Sequence, residues 1–150
     1  MSETVDRATT VADLRACAQR VRTVGLYKGN WVDHDLAARE RKPLNTCPAC
    51  AGGTIALVIS GGMDFSPTWL QGGEQQARRH AIVEALLDVS PLWLQEDEDM
   101  PSAEHLRAFH DMDTLGHVAD WNDREATTAE KVAGLFDAAA DHLEGVPASA

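Results

Sequence analysis

No stretch of this chain approaches the roughly 18 apolar residues needed to cross a bilayer. Its longest apolar strip is residues 54–59, Thr-Ile-Ala-Leu-Val-Ile. The opening Met1-Ser2-Glu3-Thr4-Val5-Asp6 lacks both the basic start and the apolar run of a signal peptide. Only three cysteines are present, Cys17, Cys47 and Cys50, so one stays unpaired under any connectivity. That favours a reducing compartment, and a soluble cytoplasmic protein is expected. Basic charge runs out early. Residues 1–50 carry eight Lys/Arg against six Asp/Glu, whereas residues 51–150 hold five against eighteen. A surface of that sign repels a phosphate backbone, which argues against nucleic-acid binding by bulk electrostatics.

What is present is an ordinary domain's worth of material: 150 residues, 44% apolar and 25% charged, with a net charge of −11. A chain this long buries roughly 70% of its unfolded surface, so it can fold without disulfide or metal support. Val11, Leu14, Cys17/Ala18, Val21 and Val24 recur at intervals of three and four, the spacing of one helical stripe. Thr10 is the expected N-cap, Asp13 falls at the third position, and Gly25 is a natural stop. Cys17 lies on the stripe and reads as a small core residue. Over residues 26–48 the periodicity is lost, punctuated by Gly29, Asn30, Pro43, Asn45 and Pro48. The expectation is a long irregular loop, with a short β-hairpin about Gly29-Asn30 and one helical turn near residues 35–39. Loops this long in compact domains are usually functional, which makes the segment the first place to look for a ligand.

Residues 50–60 are small and apolar. Thr54, Ile55, Val58 and Ile59 suit a strand, while Ala51, Gly52, Gly53 and Ala56 suit a closely packed helix; the helix is the preferred reading. Ser66-Pro67-Thr68-Trp69-Leu70-Gln71 and Ser90-Pro91-Leu92-Trp93-Leu94-Gln95 match at five of six positions. Serine as N-cap with proline at the first helical position predicts a new helical turn at each copy. Between them residues 74–89 form a helix with Ala81, Ile82, Ala85, Leu86 and Val89 inward. The run Glu96-Asp97-Glu98-Asp99 lacks the spaced ligands and glycine of a calcium loop and reads as solvated. Helical stretches follow at 102–109 and 114–119. A last helix is announced by Thr127 and Glu130 at capping-box spacing, with Val132, Leu135, Phe136, Ala139 and Leu143 as its stripe and Gly145 and Pro147 as its stop. The fold expected is mainly α, a single compact domain of five or six helices over residues 10–144 with flexible ends at 1–9 and 145–150.

Cys47-Pro48-Ala49-Cys50 admits three chemistries. As half of a zinc site it would need His105, His110, His117 or His142, and no second C-x-x-C exists. As a redox dithiol it should follow a strand, but it follows a proline-marked loop. As a nucleophile, Cys50 would sit at a helix start that stabilises its thiolate. One of His34, His80, His105, His110 and His117 would be the base, oriented by Asn122 or Asp123. Against all three stands the commoner case of a small buried residue opening a core helix. Gly52-Gly53-Thr54 offers an anion-binding nest but no P-loop lysine. Asp111-Met112-Asp113 reads as a solvated turn. Neither a metal nor a cofactor is expected.

Arg20, Arg22, Lys28, Arg39, Arg41 and Lys42 surround Tyr27 and Trp31 in sequence, a mixture able to bind nucleotides or single strands. The preferred reading is that these cations neutralise acidic helices of the same molecule. Tyr27, Lys28, Trp31, His34 and Trp121 are the candidate ligand-binding residues. Trp121-Asn122-Asp123 also makes sense as architecture: the indole supplies buried surface, and the two side chains bond nearby backbone and fix the turn into the last helix.

The helix ending at Gly25, Cys50-Ala51-Gly52-Gly53-Thr54-Ile55, Ala119-Asp120-Trp121-Asn122-Asp123 and Thr128-Ala129-Glu130-Lys131-Val132 together resemble a family of small actinobacterial and actinophage proteins, a domain of unknown function. Cys50, Gly53, Trp121, Asn122 and Asp123 fit its Cys-x-x-Gly-Ala and Trp-Asn-Asp segments. Thr54 stands in the place of the usual alanine, and Cys47 is outside the pattern. The resemblance covers about residues 10–144 and implies a mainly helical domain without assigning an activity. Two functions are therefore expected. The first is a small acidic binding or regulatory protein, phage-linked, whose partner is a protein or small molecule. The alternative is a cysteine-dependent hydrolase or transferase using Cys50 with a histidine and Asn122 or Asp123.

Overall fold

The structure, a computed structural model, describes residues 5–29, 32–61, 73–94, 122–123 and 127–145, with 90–94 described in backbone alone. Five α-helices are found among these residues: α1 (Arg7–Val24), α2 (His34–Glu40), α3 (Ala51–Ile59), α4 (Gly73–Leu94) and α5 (Ala129–Leu143). They pack as one mainly α domain. A short 3-10 turn, Leu44–Thr46, precedes α3.

α1 begins one turn before the expected Thr10 cap. Asp6 takes that role, accepting from the Thr9 N–H at 2.7 Å. An aspartate caps as well as a threonine, so the earlier residue wins and the helix gains a turn. Thr10 is buried inside it and donates its hydroxyl to the Asp6 carbonyl at 3.3 Å. Asp13 does not cap. It is buried and receives Arg78 through two hydrogen bonds, Nε at 3.0 Å and Nη2 at 2.7 Å. The same guanidinium reaches the Ile59 carbonyl at 3.4 Å and so joins α1, α3 and α4. Gly25 ends α1 at φ +112, a conformation side chains disfavour, with its N–H on the Val21 carbonyl.

α1 and α5 form the most extensive helix pair. Leu14, Cys17, Ala18 and Val21 meet Val132, Leu135, Phe136 and Ala139 in the main core, and α4 adds Ile82, Val83, Ala85, Leu86, Leu87 and Val89. The pair is antiparallel, since Arg15 reaches Asp137, Asp141 and Glu144 while Arg22 reaches Glu130 and Asp137. α5 is capped by Thr128, which accepts from the Lys131 N–H at 3.2 Å. The expected cap, Thr127, lies one position earlier and is buried.

α4 touches α1, α3 and α5, so it buries more than one stripe. Val83 and Leu87 are covered in addition to the expected residues, and Ala81 is half-buried. The helix runs through Ser90 and Pro91 to Leu94, so the second Ser-Pro copy continues a helix and does not start one. Adding a residue to an existing helix is far easier than nucleating a new one, so this copy needs no cap of its own. The first copy, the acidic run at 96–99 and the helices expected at 102–109 and 114–119 lie outside the described residues.

Residues 26–48 are more regular than their composition suggests. α2 is capped by Asp33, which accepts from the Leu36 N–H at 3.0 Å, and closes at Arg41 in the left-handed region at φ 51. Leu36, Ala37 and Leu44 pack on a second, smaller core of Val32, Cys47, Ala49 and Leu57. Seven residues are too few to show a helical period in the sequence. Where the hairpin is expected, Leu26 and Val32 both bridge to Ala49, one in parallel and one antiparallel sense. Among the described residues no helix is long and apolar enough to cross a membrane.

Candidate functional site

The helical reading of residues 50–60 holds, and α3 is almost wholly enclosed: Ala51 through Leu57 and Ile59 are buried. Cys50 caps it. Its backbone is extended, its carbonyl accepts the Thr54 N–H at 2.8 Å, and its Sγ accepts the Gly53 N–H at 3.3 Å. A thiol is a weak acceptor, so this cap is a soft one. Cys50 is 3% exposed. Burial pushes its thiol above the ordinary cysteine range, opposed by the N–H groups of Gly53 and Gly52, while the nearby Asp123 carboxylate adds to the rise. Cys17, fully enclosed in the main core, is driven up by burial and then by Asp13, in keeping with its expected role as a packing residue.

Two later residues close over the start of α3. Asn122 is completely buried. Its Oδ1 accepts from the Ala51 N–H at 3.0 Å and its Nδ2 donates to the Tyr27 carbonyl at 3.0 Å. Asp123 Oδ1 accepts from the Gly29 N–H at 2.9 Å and from Asn122 Nδ2 at 3.3 Å. The Tyr27 N–H in turn reaches the Ala49 carbonyl, and the Asp33 N–H the Pro48 carbonyl. Three segments far apart in sequence, 27–33, 48–51 and 122–123, are thus joined by hydrogen bonds. The structure brings Cys50, Asn122, Asp123 and the backbone of Tyr27 together. Lys28 lies half-buried beside them, and His34 is exposed as the first residue of α2. Trp31 and Trp121 lie outside the described residues.

The two cysteines of the C-x-x-C motif face different surroundings. Cys47 belongs to the second core and donates to the Pro43 carbonyl at 3.6 Å, whereas Cys50 caps α3. The backbone is extended at both cysteines, and Ala49 between them is bridged on both sides. Both thiols are free and buried. Among the described residues no group of three or more His, Cys, Asp or Glu is placed to hold a metal. Of the histidines, His34, His80 and His142 are exposed on α2, α4 and α5. His105, His110 and His117 lie outside the described residues.

The basic cluster is largely spent within the molecule. Arg22 pairs with Glu130 and Asp137, and Lys42 with Glu40. Arg20 bonds the Asn45 and Cys47 carbonyls at 3.0 and 2.9 Å, tying α1 to the loop that carries the first cysteine. Arg39 and Arg41 remain exposed. Sequence reasoning missed two features here. One is Arg20 as a loop anchor. The other is the Thr54 hydroxyl, fully buried with no hydrogen-bond partner. Nothing in the local sequence announces either, because both depend on what the folded chain brings against them.

No curated protein and no solved structure matches the chain. A family model matches residues 6–142, nearly the whole of the helical domain, and the chain belongs to that family, described as a family of unknown function (DUF6197).

Proposed function

We propose that this chain is a non-catalytic binding or regulatory protein of the cytoplasm, one of the small actinobacterial and actinophage proteins sharing the Cys50–Gly53 and Trp121-Asn122-Asp123 segments. One observation carries the reading. At the start of α3 the Cys50 thiol, both ends of the Asn122 amide and an Asp123 oxygen are engaged in holding backbone segments together. The outward-facing chemistry lies on the neighbouring stretch from Tyr27 to Lys42, where Arg39 and Arg41 are exposed on a chain of net charge −11. Two exposed guanidiniums on an acidic protein suit a partner with acidic groups, either a protein or a small molecule. The test is affinity capture from the native host with wild-type chain and with an Arg39→Glu/Arg41→Glu variant of unchanged stability. A partner held by the first and released by the second is expected. Equal capture by both removes this surface from the reading.

A second reading has one observation in its favour. The N–H groups of Gly53 and Gly52 oppose the upward push of burial on the Cys50 thiol, as a nucleophile at a helix start requires. Cys50 would then serve a hydrolase or transferase, with Asn122 or Asp123 orienting a histidine. Iodoacetamide labelling at neutral pH separates the two. Cys50 in the folded protein is expected to react more slowly than in a denatured control; faster labelling would favour the enzyme.

A further inference from the structure

We draw no further inference here: the strongest candidate, the side-chain cluster under the loop at 42–47, where the half-buried Arg20 guanidinium bonds the Asn45 and Cys47 carbonyls and keeps one enclosed nitrogen, Nη1, without a hydrogen bond, carries nothing, because that nitrogen is closed off from any ligand and the remaining reactive group of the cluster is a lone buried cysteine.

Discussion

Where α1, α4 and α5 meet, Leu14, Val21, Ile82, Leu86 and Phe136 are cut off from solvent, and one apolar cluster runs through the three helices. Where α2, the 3-10 turn and the start of α3 meet, four small or medium side chains make the core, and the chain is tied down by Arg20, Asn122 and Asp123. The first region is held by area and the second by direction. Apolar burial tolerates small shifts, because it depends on contact and not on angle. A hydrogen bond is lost within a few tenths of an ångström or a few tens of degrees. The second region is thus the more sharply defined in direction and the less supported by apolar area.

The largest expected effect tests the first half of that contrast. Phe136→Ala should destabilise the whole domain by about 3–5 kcal/mol in urea denaturation, whereas Leu57→Ala in the smaller core should cost nearer 2 kcal/mol. Equal losses would mean that the two cores are not of different rank. Next comes Asp13→Ala, which leaves Arg78 without its carboxylate in a largely enclosed site and should cost about 3 kcal/mol. Replacing both, Asp13→Leu with Arg78→Met, should recover most of the loss by calorimetry.

Asn122→Ala strands the Ala51 N–H and the Tyr27 carbonyl and should cost about 2 kcal/mol. Hydrogen exchange should show the change at Ala51 and Gly29 with little at Leu14; a uniform change would erase the distinction between the regions. The smallest effect is the acid response of the α1–α5 seam. Burial alone would raise Asp137, but the Arg22 and Arg15 guanidiniums outweigh it and hold it below the ordinary carboxylate range; Arg22 does the same for Glu130. With folded values below unfolded ones, this stabilisation is complete at neutral pH and is lost as pH falls below about 4. Arg22→Ala should flatten the acid limb of a stability–pH curve slightly, since both partners of the exposed pair are solvated.

The helices were legible wherever a stripe was long. Val11 to Val24 and Val132 to Leu143 each span more than three helical turns, enough for the period to show. Their caps were less so, because Asp6 and Thr128 compete with Thr10 and Thr127 that differ from them by little in chemistry. α2 hid within a segment of turn residues, and Pro91 concealed the continuation of α4. At the site, Cys50, Asn122 and Asp123 could be singled out as belonging together, but not what they do for one another. That depends on Ala51, Tyr27 and Gly29 offering backbone groups, and every residue except proline offers an N–H. The Asp13–Arg78 pair left no trace in the sequence, since 65 positions separate its members.

That pair acts as an alignment key. Aliphatic faces are forgiving, and α4 moved along α1 by one helical turn, about 5.4 Å, would still set methyl groups against methyl groups. The shifted packing would leave a carboxylate on one helix and a guanidinium on the other facing hydrocarbon with no counter-charge. Whatever the two contribute to net stability, they make the wrong alignment expensive, and the Ile59 carbonyl held by the same arginine carries that choice on to α3.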